Sequence, residues 1–195
     1  MTTVSKRLFS LLSPRLALLL FGTLLAVGLL ILRTYFTDNL RFYFLVWNLF
    51  LAWIPWWISA WLVKKERKAW VIWLSAAFWL LFFPNSPYIL TDLFHLRPRN
   101  GVPQWFDLTL IISFAWTGLL LGLDSLRHMK EYWFDRLGQL WSTVITLGIL
   151  LLTSYGIYLG RFLRWNSWDL FTRPGSLMAD VVDPLVAPKE NLGAT

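Results

Sequence analysis

The sequence predicts an all-α fold, a polytopic transmembrane bundle of about five helices. The chain has 195 residues, of which 57% are hydrophobic and only 15% charged, and its apolar residues form long stretches that are almost free of charge. A helix rises 1.5 Å per residue, so roughly 20 apolar residues cross a hydrocarbon core about 30 Å thick. These stretches are apolar on every face, as expected of helices that contact lipid. They cover residues 16–32, 42–63, 69–90, 108–123 and 140–160.

The first two stretches are predicted to be uncleaved spans. Basic residues precede the first stretch, but its apolar run continues to Leu32, which is too long for an ordinary signal peptide. The second stretch contains Asn48 and Pro55. We expect Asn48 to bond a neighbouring helix and Pro55 to kink its own.

The third stretch is predicted to break at Pro84–Pro87. Residues 69–83 give only about 22 Å of helix, and proline cannot continue it, because proline lacks a donor and clashes with the preceding turn. Asn85 or Ser86 is expected to cap a second short helix over residues 87–96.

On that short helix Tyr88, Asp92 and His95 fall at positions i, i+4 and i+7, so an α-helix places them on one face. Two interpretations stay open: a hydrated boundary of the bilayer, or a buried functional network. If the site is catalytic, His95 and Asp92 are the candidate residues. Two metal ligands are too few to define a metal site, and neither a metal nor a cofactor is predicted.

The fourth and fifth stretches begin and end with polar residues. Asp107 follows a turn-rich segment and is expected to favour the helix dipole, while Asp124 and His128 are expected in a solvated loop before the fifth stretch. After the fifth stretch, Arg161 and Arg164 lie one turn apart, and Asn166 and Asp169 follow among tryptophans. We consider three roles for the two arginines: ion pairs with Asp92 or Asp107, contact with a phosphate or lipid headgroup, and snorkelling to the interface.

The distribution of basic residues predicts the orientation. Counted by alternate loops, ten Lys and Arg lie on the side of the N-terminus and eight on the other, and the dense KKERK cluster lies in a short loop on the first side. We therefore expect a cytoplasmic N-terminus and location in a bacterial inner (plasma) membrane. The polar residues that follow the third and fifth stretches then share the opposite, extracytoplasmic face.

The predicted organisation is one transmembrane domain over residues 1–165 and an extramembrane or interfacial tail over residues 166–195. The expected partners are the lipid bilayer, anionic lipid headgroups, and a second copy or other subunits of a membrane complex. The net charge of +7 lies in short loops beside spans, so a nucleic-acid partner is not expected. The chain contains no cysteine, which excludes disulfides and a thiol nucleophile.

Four segments resemble a bacterial membrane family known as domain of unknown function 1361: NLFLAWIPW, FPNSPYILTDLFHL, FDLTLIISFAWTGLLLG and GIYLGRFLRWNSWD. The resemblance covers residues 42–185 and implies a small multi-span membrane protein whose biochemical role is unassigned. It also implies a further apolar span after the last segment, which residues 170–195 lack; residues 177–186 are expected to lie along the interface. The family's motif positions fall on Asn85, Pro87, Tyr88, Asp92, His95, Arg161, Arg164, Asn166 and Asp169.

The sequence leaves three functions open. The first is a binding or structural membrane protein whose polar cluster stabilises the bundle or holds a lipid headgroup. The second is an intramembrane enzyme acting on a lipid-linked substrate, in which His95 is the general acid or base, Asp92 orients it and the two arginines bind the anion. The third is a small transporter that uses the broken third helix.

Overall fold

A computed structural model of the chain describes residues 13–64, 66–97, 101–165 and 169–186, and every regular element in these ranges is a helix. The predicted all-α fold is therefore confirmed. The α-helices are α1 (Pro14–Thr37), α2 (Phe44–Leu62), α3 (Ala69–Phe82), α4 (Asn85–Tyr88), α5 (Gln104–Phe162), α6 (Asp169–Thr172) and α7 (Pro174–Val186). Two 3-10 helices, Arg41–Tyr43 and Ile89–His95, precede α2 and follow α4.

Among the described residues, four helical segments are long and apolar enough to cross a membrane, which makes the chain a membrane protein. They are Pro14–Thr37, Arg41–Leu62, Ala69–His95 and Gln104–Phe162. The last has 59 residues and contains both the fourth and the fifth predicted stretches. The count of five spans therefore stays a prediction.

Helix α5 consists of two helical segments that meet at Gly138. This residue has a φ of 80° and a ψ of 174°, which is not helical and is sterically open almost only to glycine. The Ser142 hydroxyl donates a hydrogen bond to the Lys130 carbonyl at 2.9 Å. In a straight helix these residues would be about 18 Å apart, so the chain folds back at Gly138.

The expectation of a solvated loop around Asp124 and His128 is wrong, because both residues lie on α5. Residues 123–137 contain neither glycine nor proline, and most are good helix formers. The ion pair between Arg127 and Glu131, at 2.7 Å, adds i, i+4 support to the helix. The connection between the fourth and fifth predicted stretches is therefore helical on both sides of the turn at Gly138.

The described residues form two compact units, one within residues 1–146 and the other within residues 147–195. We call them unit 1 and unit 2. The predicted domain boundary after residue 165 stays a prediction.

In unit 1, α1 is antiparallel to the first part of α5. Near the start of α1, an ideal Cβ built on Gly22 would lie 2.7 Å from the Thr117 hydroxyl, and near its end Arg33 bonds Asp107 at 2.6 Å. Residues later in α1 thus contact residues earlier in α5.

Helix α2 is parallel to α5 and antiparallel to the broken third segment. Trp56 bonds Asp124 and Ser59 contacts His128, so residue numbers rise together along α2 and α5. Asn48 bonds Asp92 and Ala52 bonds Ser86, so they run in opposite directions along α2 and the broken segment. Unit 1 therefore has two ends. The Asp92 end contains Arg33, Asn48, Asp92, His95 and Asp107; the Asp124 end contains Arg15, Trp56, Ser59, Asp124 and His128.

The predicted break at Pro84–Pro87 is confirmed, but the expected capping is not. Helix α4 begins without a side-chain cap. The Asn85 amide instead donates to the Phe82 carbonyl of the preceding helix at 2.9 Å, and the Ser86 hydroxyl donates to the Ala52 carbonyl of α2 at 3.3 Å. Both side chains satisfy carbonyl groups that neighbouring turns offer, so they join segments rather than start a helix.

After the single α-helical turn of α4, the segment continues as a 3-10 helix rather than an α-helix. Its three residues per turn align Ile89, Asp92 and His95, while Tyr88 belongs to the preceding α-helical turn. The single face expected for Tyr88, Asp92 and His95 assumed 3.6 residues per turn.

The broken segment packs closely against α5 at two glycines. A Cβ on Gly122 would lie 2.8 Å from the Ser86 Cβ, and one on Gly118 would lie 2.7 Å from the Ile89 side chain. Small residues four positions apart allow such a close approach of two backbones. This contact fixes the broken segment, and with it Asp92, against α5.

In unit 2, the tail helices pack against the end of α5. The Tyr155 hydroxyl donates to the Val181 carbonyl at 2.7 Å, and the Trp165 indole donates to Asp180 at 2.8 Å. Tyr155 lies seven residues before the end of α5, which is about 10 Å along the helix axis. Helix α7 therefore lies beside the last two turns of α5.

Candidate functional site

Asp92 is the buried centre of the candidate site. Asp92 is only 2% exposed, and its Oδ2 accepts a hydrogen bond from the Asn48 side-chain amide at 2.8 Å. The expectation that Asn48 bonds a neighbouring helix is confirmed. A carboxylate in a membrane bundle is costly unless it is satisfied, and Asn48 supplies a donor from α2.

His95 forms the accessible part of the site. Its Nδ1 lies 3.9 Å from Asp92 Oδ1 and 3.3 Å from the Asp92 carbonyl oxygen, and 44% of its side chain is exposed. Its ring packs against Phe44, with the ring centroids 5.1 Å apart. A half-exposed imidazole beside a buried carboxylate is able to contact a polar headgroup or exchange a proton.

The same end contains a buried ion pair that sequence reasoning missed. Arg33 Nε bonds Asp107 Oδ1 at 2.6 Å, Arg33 Nη2 bonds Oδ2 at 3.3 Å, and both side chains are almost fully buried. The Phe42 ring lies under the guanidinium at 4.5 Å. Asp107 was expected to favour a helix dipole or to pair with Arg161 or Arg164.

A signal for this pair exists in the sequence. Arg33 ends the first apolar stretch and Asp107 begins the fourth, and alternating spans bring these two positions to the same side. Opposite charges at the ends of apolar stretches on one side are natural partners.

A second polar network lies at the Asp124 end, which the sequence assigned to solvent. Asp124 accepts hydrogen bonds from the Trp56 indole at 2.9 Å and from Arg127 Nε at 3.1 Å, and its side chain is only 12% exposed. The expectation that Asp124 and His128 are solvated is wrong, because the helical continuation of α5 turns both toward α2.

Three buried side chains continue this network: Ser59, Trp79 and Ser125. The Trp79 indole donates to Ser125 at 2.7 Å, and the Ser125 hydroxyl lies 3.1 Å from the Ser59 hydroxyl. Ser125 also contacts the Pro55 carbonyl at 3.0 Å. Three helices, α2, α3 and α5, are thus joined by hydrogen bonds inside the apolar bundle.

Asp124, His128 and Ser59 lie beside one another like the members of a hydrolase triad, but their geometry supports a structural role. His128 Nε2 lies 3.8 Å from Asp124, and His128 Nδ1 lies 3.3 Å from the Ser59 hydroxyl. Ser59 is fully buried and donates to the Trp56 carbonyl at 3.0 Å. A nucleophile must reach its substrate, and this hydroxyl faces only protein.

The remaining predicted residues lie in unit 2. Asp169 is 3% exposed and accepts hydrogen bonds from Thr172 and Arg173, both at 3.1 Å. Arg164 is exposed and has a positive φ of 59°, whereas Arg161 is half-buried. Asn166 lies outside the described residues.

The structure thus brings together part of the predicted cluster. Asp92 and His95 are adjacent, and Asn85 and Tyr88 lie one to two turns earlier on the same segment. The convergence of Asp92 with the two arginines stays a prediction. Within the described ranges, no group of three or more His, Cys, Asp and Glu side chains is placed to hold a metal ion.

Comparison with known proteins gives one result. A family model described as protein of unknown function (DUF1361) matches residues 47–193. No curated protein and no solved structure matches the chain.

Proposed function

We propose a structural and lipid-contacting role for this chain, which belongs to the family described as protein of unknown function (DUF1361). In this proposal the polar cluster at the Asp92 end stabilises the bundle, and His95 contacts lipid headgroups. No catalytic step is required of it.

The burial of the carboxylates at the Asp92 end carries this proposal. Asp92 and Asp107 are each 2% exposed, and each is bonded across the bundle, to Asn48 and Arg33. Side chains that bond this way tie helices together where the hydrophobic effect cannot. His95 is the exposed member of the cluster, and an imidazole at a membrane face suits a phosphate or a hydroxyl of a headgroup.

The charges of unit 1 support an orientation with the Asp124 end in the cytoplasm. Among its described residues, that end has seven basic side chains against four acidic ones, whereas the Asp92 end has three of each. The basic ones are Arg15, Lys64, Arg67, Lys68, Arg127, Lys130 and Arg136; the acidic ones are Glu66, Asp124, Glu131 and Asp135. Cytoplasmic ends of spans favour Lys and Arg, so we place the Asp92 end on the extracytoplasmic side of a bacterial inner membrane.

The hydrogen bond from Asn48 provides the test of the structural role. Asp92→Asn keeps an acceptor for the Asn48 amide, whereas Asp92→Ala leaves that amide without its partner, at a cost of about 1–3 kcal/mol. We expect Asp92→Ala to lower the midpoint of thermal unfolding in detergent and Asp92→Asn to stay close to the unsubstituted chain. Equal loss in both variants would mean that the charge, not the bond, is required.

The closeness of Asp92 and His95 favours a second function, an enzyme acting on a lipid-linked substrate. A carboxylate 3.9 Å from an imidazole nitrogen is able to orient it as a general acid or base. His95→Ala separates the two functions, because 44% of the side chain is exposed and we expect the variant to fold.

The experiment compares the lipid profiles of cells that produce the chain or its His95→Ala variant at equal abundance. The structural role predicts identical profiles. A profile that changes with His95→Ala, while the variant remains folded and abundant, would support the enzyme and end the structural proposal. His95→Gln, which keeps hydrogen-bonding capacity but cannot act as a general acid or base, serves as the companion variant.

A further inference from the structure

A groove between α1 and α5 opens at the surface of the Asp124 end. Its volume is about 240 Å³, and four leucines form its apolar wall: Leu18, Leu19, Leu120 and Leu123. Leu18 and Leu123 are each more than half exposed, and both lie on helices long enough to cross a membrane. We call this feature the leucine groove.

Charged side chains lie at one end of the leucine groove. Arg15 lies about 6 Å along α1 from Leu19, and Arg127 lies about 10 Å along α5 from Leu120, so both guanidinium groups belong to the end nearer the interface. Arg15 is exposed, and no ion pair joins it to the part of the chain that the structure describes. The groove is thus apolar along its length and cationic at its mouth.

The third charged side chain at the mouth is Asp124, whose carboxylate accepts hydrogen bonds from protein side chains. Its carboxylate is bonded by Trp56 and by Arg127. Arg127 places Nε and Nη2 on Asp124 and Nη1 on Glu131. A guanidinium has five N–H donors, so one N–H on each terminal nitrogen remains for another anion. Including these residues, the Asp124 end keeps its excess of three positive charges among the described side chains.

We propose that the leucine groove binds an anionic phospholipid, with its phosphate between Arg15 and Arg127 and an acyl chain along the four leucines. The apolar wall matches a hydrocarbon chain, and the exposed Arg15, the remaining donors of Arg127 and the charge excess of the surrounding Asp124 end match an anionic headgroup. This site is distinct from the proposed headgroup contact at His95, which lies at the opposite end of unit 1. It depends only on the membrane location of the chain.

The test measures lipid binding to the full chain by native mass spectrometry. The detergent-solubilised protein is titrated with phosphatidylglycerol and, separately, with phosphatidylcholine of the same acyl chains. We expect tighter binding of phosphatidylglycerol, and a drop of roughly 5-fold in its affinity for Arg15→Gln, because a basic residue near the membrane surface contributes about 1 kcal/mol. Arg41→Gln, an equal charge change at an exposed residue of the other end, is expected to leave the affinity unchanged.

A second pair of variants tests the acyl-chain part of the site. Leu18→Trp fills the groove and is expected to lower the affinity for phosphatidylglycerol, whereas Leu24→Trp, at an exposed residue of the same helix outside the groove, is not.

Three results would overturn the proposal. Equal losses in Arg15→Gln and Arg41→Gln would reduce the binding to general charge, and equal affinity for the two lipids would remove the headgroup contact. Conversion of a dimer to a monomer by Leu18→Trp, with no change in lipid binding, would assign the groove to a second copy of the chain.

Discussion

Arg33 and Asp107 form a two-pronged ion pair that joins the end of α1 to the start of α5, 74 residues later in the chain. Both side chains are buried, and the guanidinium also lies over the Phe42 ring. The pair closes the Asp92 end of unit 1, beside the bond between Asn48 and Asp92. Two separate polar contacts therefore fix this end, and each gives a prediction that mutagenesis can test.

Removing the cation of this pair is expected to destabilise unit 1 strongly. Arg33→Ala leaves Asp107 buried without its partner, and breaking a buried ion pair in this way costs about 3–5 kcal/mol. Unfolding in mixed micelles of increasing dodecyl sulfate content measures the loss. Arg41→Ala, an exposed arginine of the same end, is the matched control, and similar stabilities of the two variants would contradict the role of the pair.

Filling the contact between α5 and the broken segment is also expected to destabilise the chain. In Gly122→Ala the new methyl group meets the Ser86 Cβ at 2.8 Å, where both backbones are held by their helices. Overpacking of this kind costs about 1–3 kcal/mol. Gly28→Ala is the control, since no atom lies within 4 Å of its ideal Cβ; a helical alanine there is expected to be neutral or slightly stabilising. Thermal unfolding compares the stabilities of the two variants, and equal midpoints would contradict the close contact at Gly122.

The hydrogen bond from Trp79 to Ser125 is expected to contribute about 1 kcal/mol. Trp79→Phe keeps an aromatic ring in the core but removes the indole donor that bonds Ser125 at 2.7 Å. Trp73→Phe makes the same chemical change on α3 at a residue that is 75% exposed. The difference between the unfolding midpoints of these variants reports the lost bond together with the smaller buried ring. No difference would show that the Ser125 hydroxyl is satisfied by its other contacts.

The turn at Gly138 is expected to tolerate no side chain. Its φ of 80° and ψ of 174° lie in a region that alanine enters at a cost of about 1–3 kcal/mol. Gly138→Ala should therefore lower stability, while Gly148→Ala, with an open Cβ position on the same helix, should not. A Gly138→Ala variant as stable as Gly148→Ala would mean that α5 is continuous at this point.

The fold could be predicted from the sequence because lipid imposes a simple requirement. A chain that crosses hydrocarbon must satisfy its backbone internally, so long apolar stretches indicate helices. The break at Pro84–Pro87 was predictable for an equally local reason, the missing donor of proline. The capping and the helix type after the break were not, because Asn85 and Ser86 bond carbonyl groups whose availability depends on how other turns pack.

The candidate site was predicted only in part. Asp92 and His95 were recognised from their spacing within one short segment. The partners of the buried carboxylates were less accessible: Asn48 was predicted to bond a helix but not which one, and Arg33 was counted only as a loop charge. Each of these bonds joins residues that are 44 or more positions apart, and several pairings satisfy the same alternation of spans.

The sequence by itself determined that this chain is a helical membrane protein, where its apolar stretches lie, and that its third helix is interrupted. Only the tertiary structure decided which polar side chains meet, since Asp124 and His128 pass from an expected loop into a buried network once α5 continues to Gly138. The physical reason is the distance along the chain over which each feature acts. Apolar length and proline act on the residues beside them, whereas a buried charge is satisfied by whichever distant helix the packing brings to it.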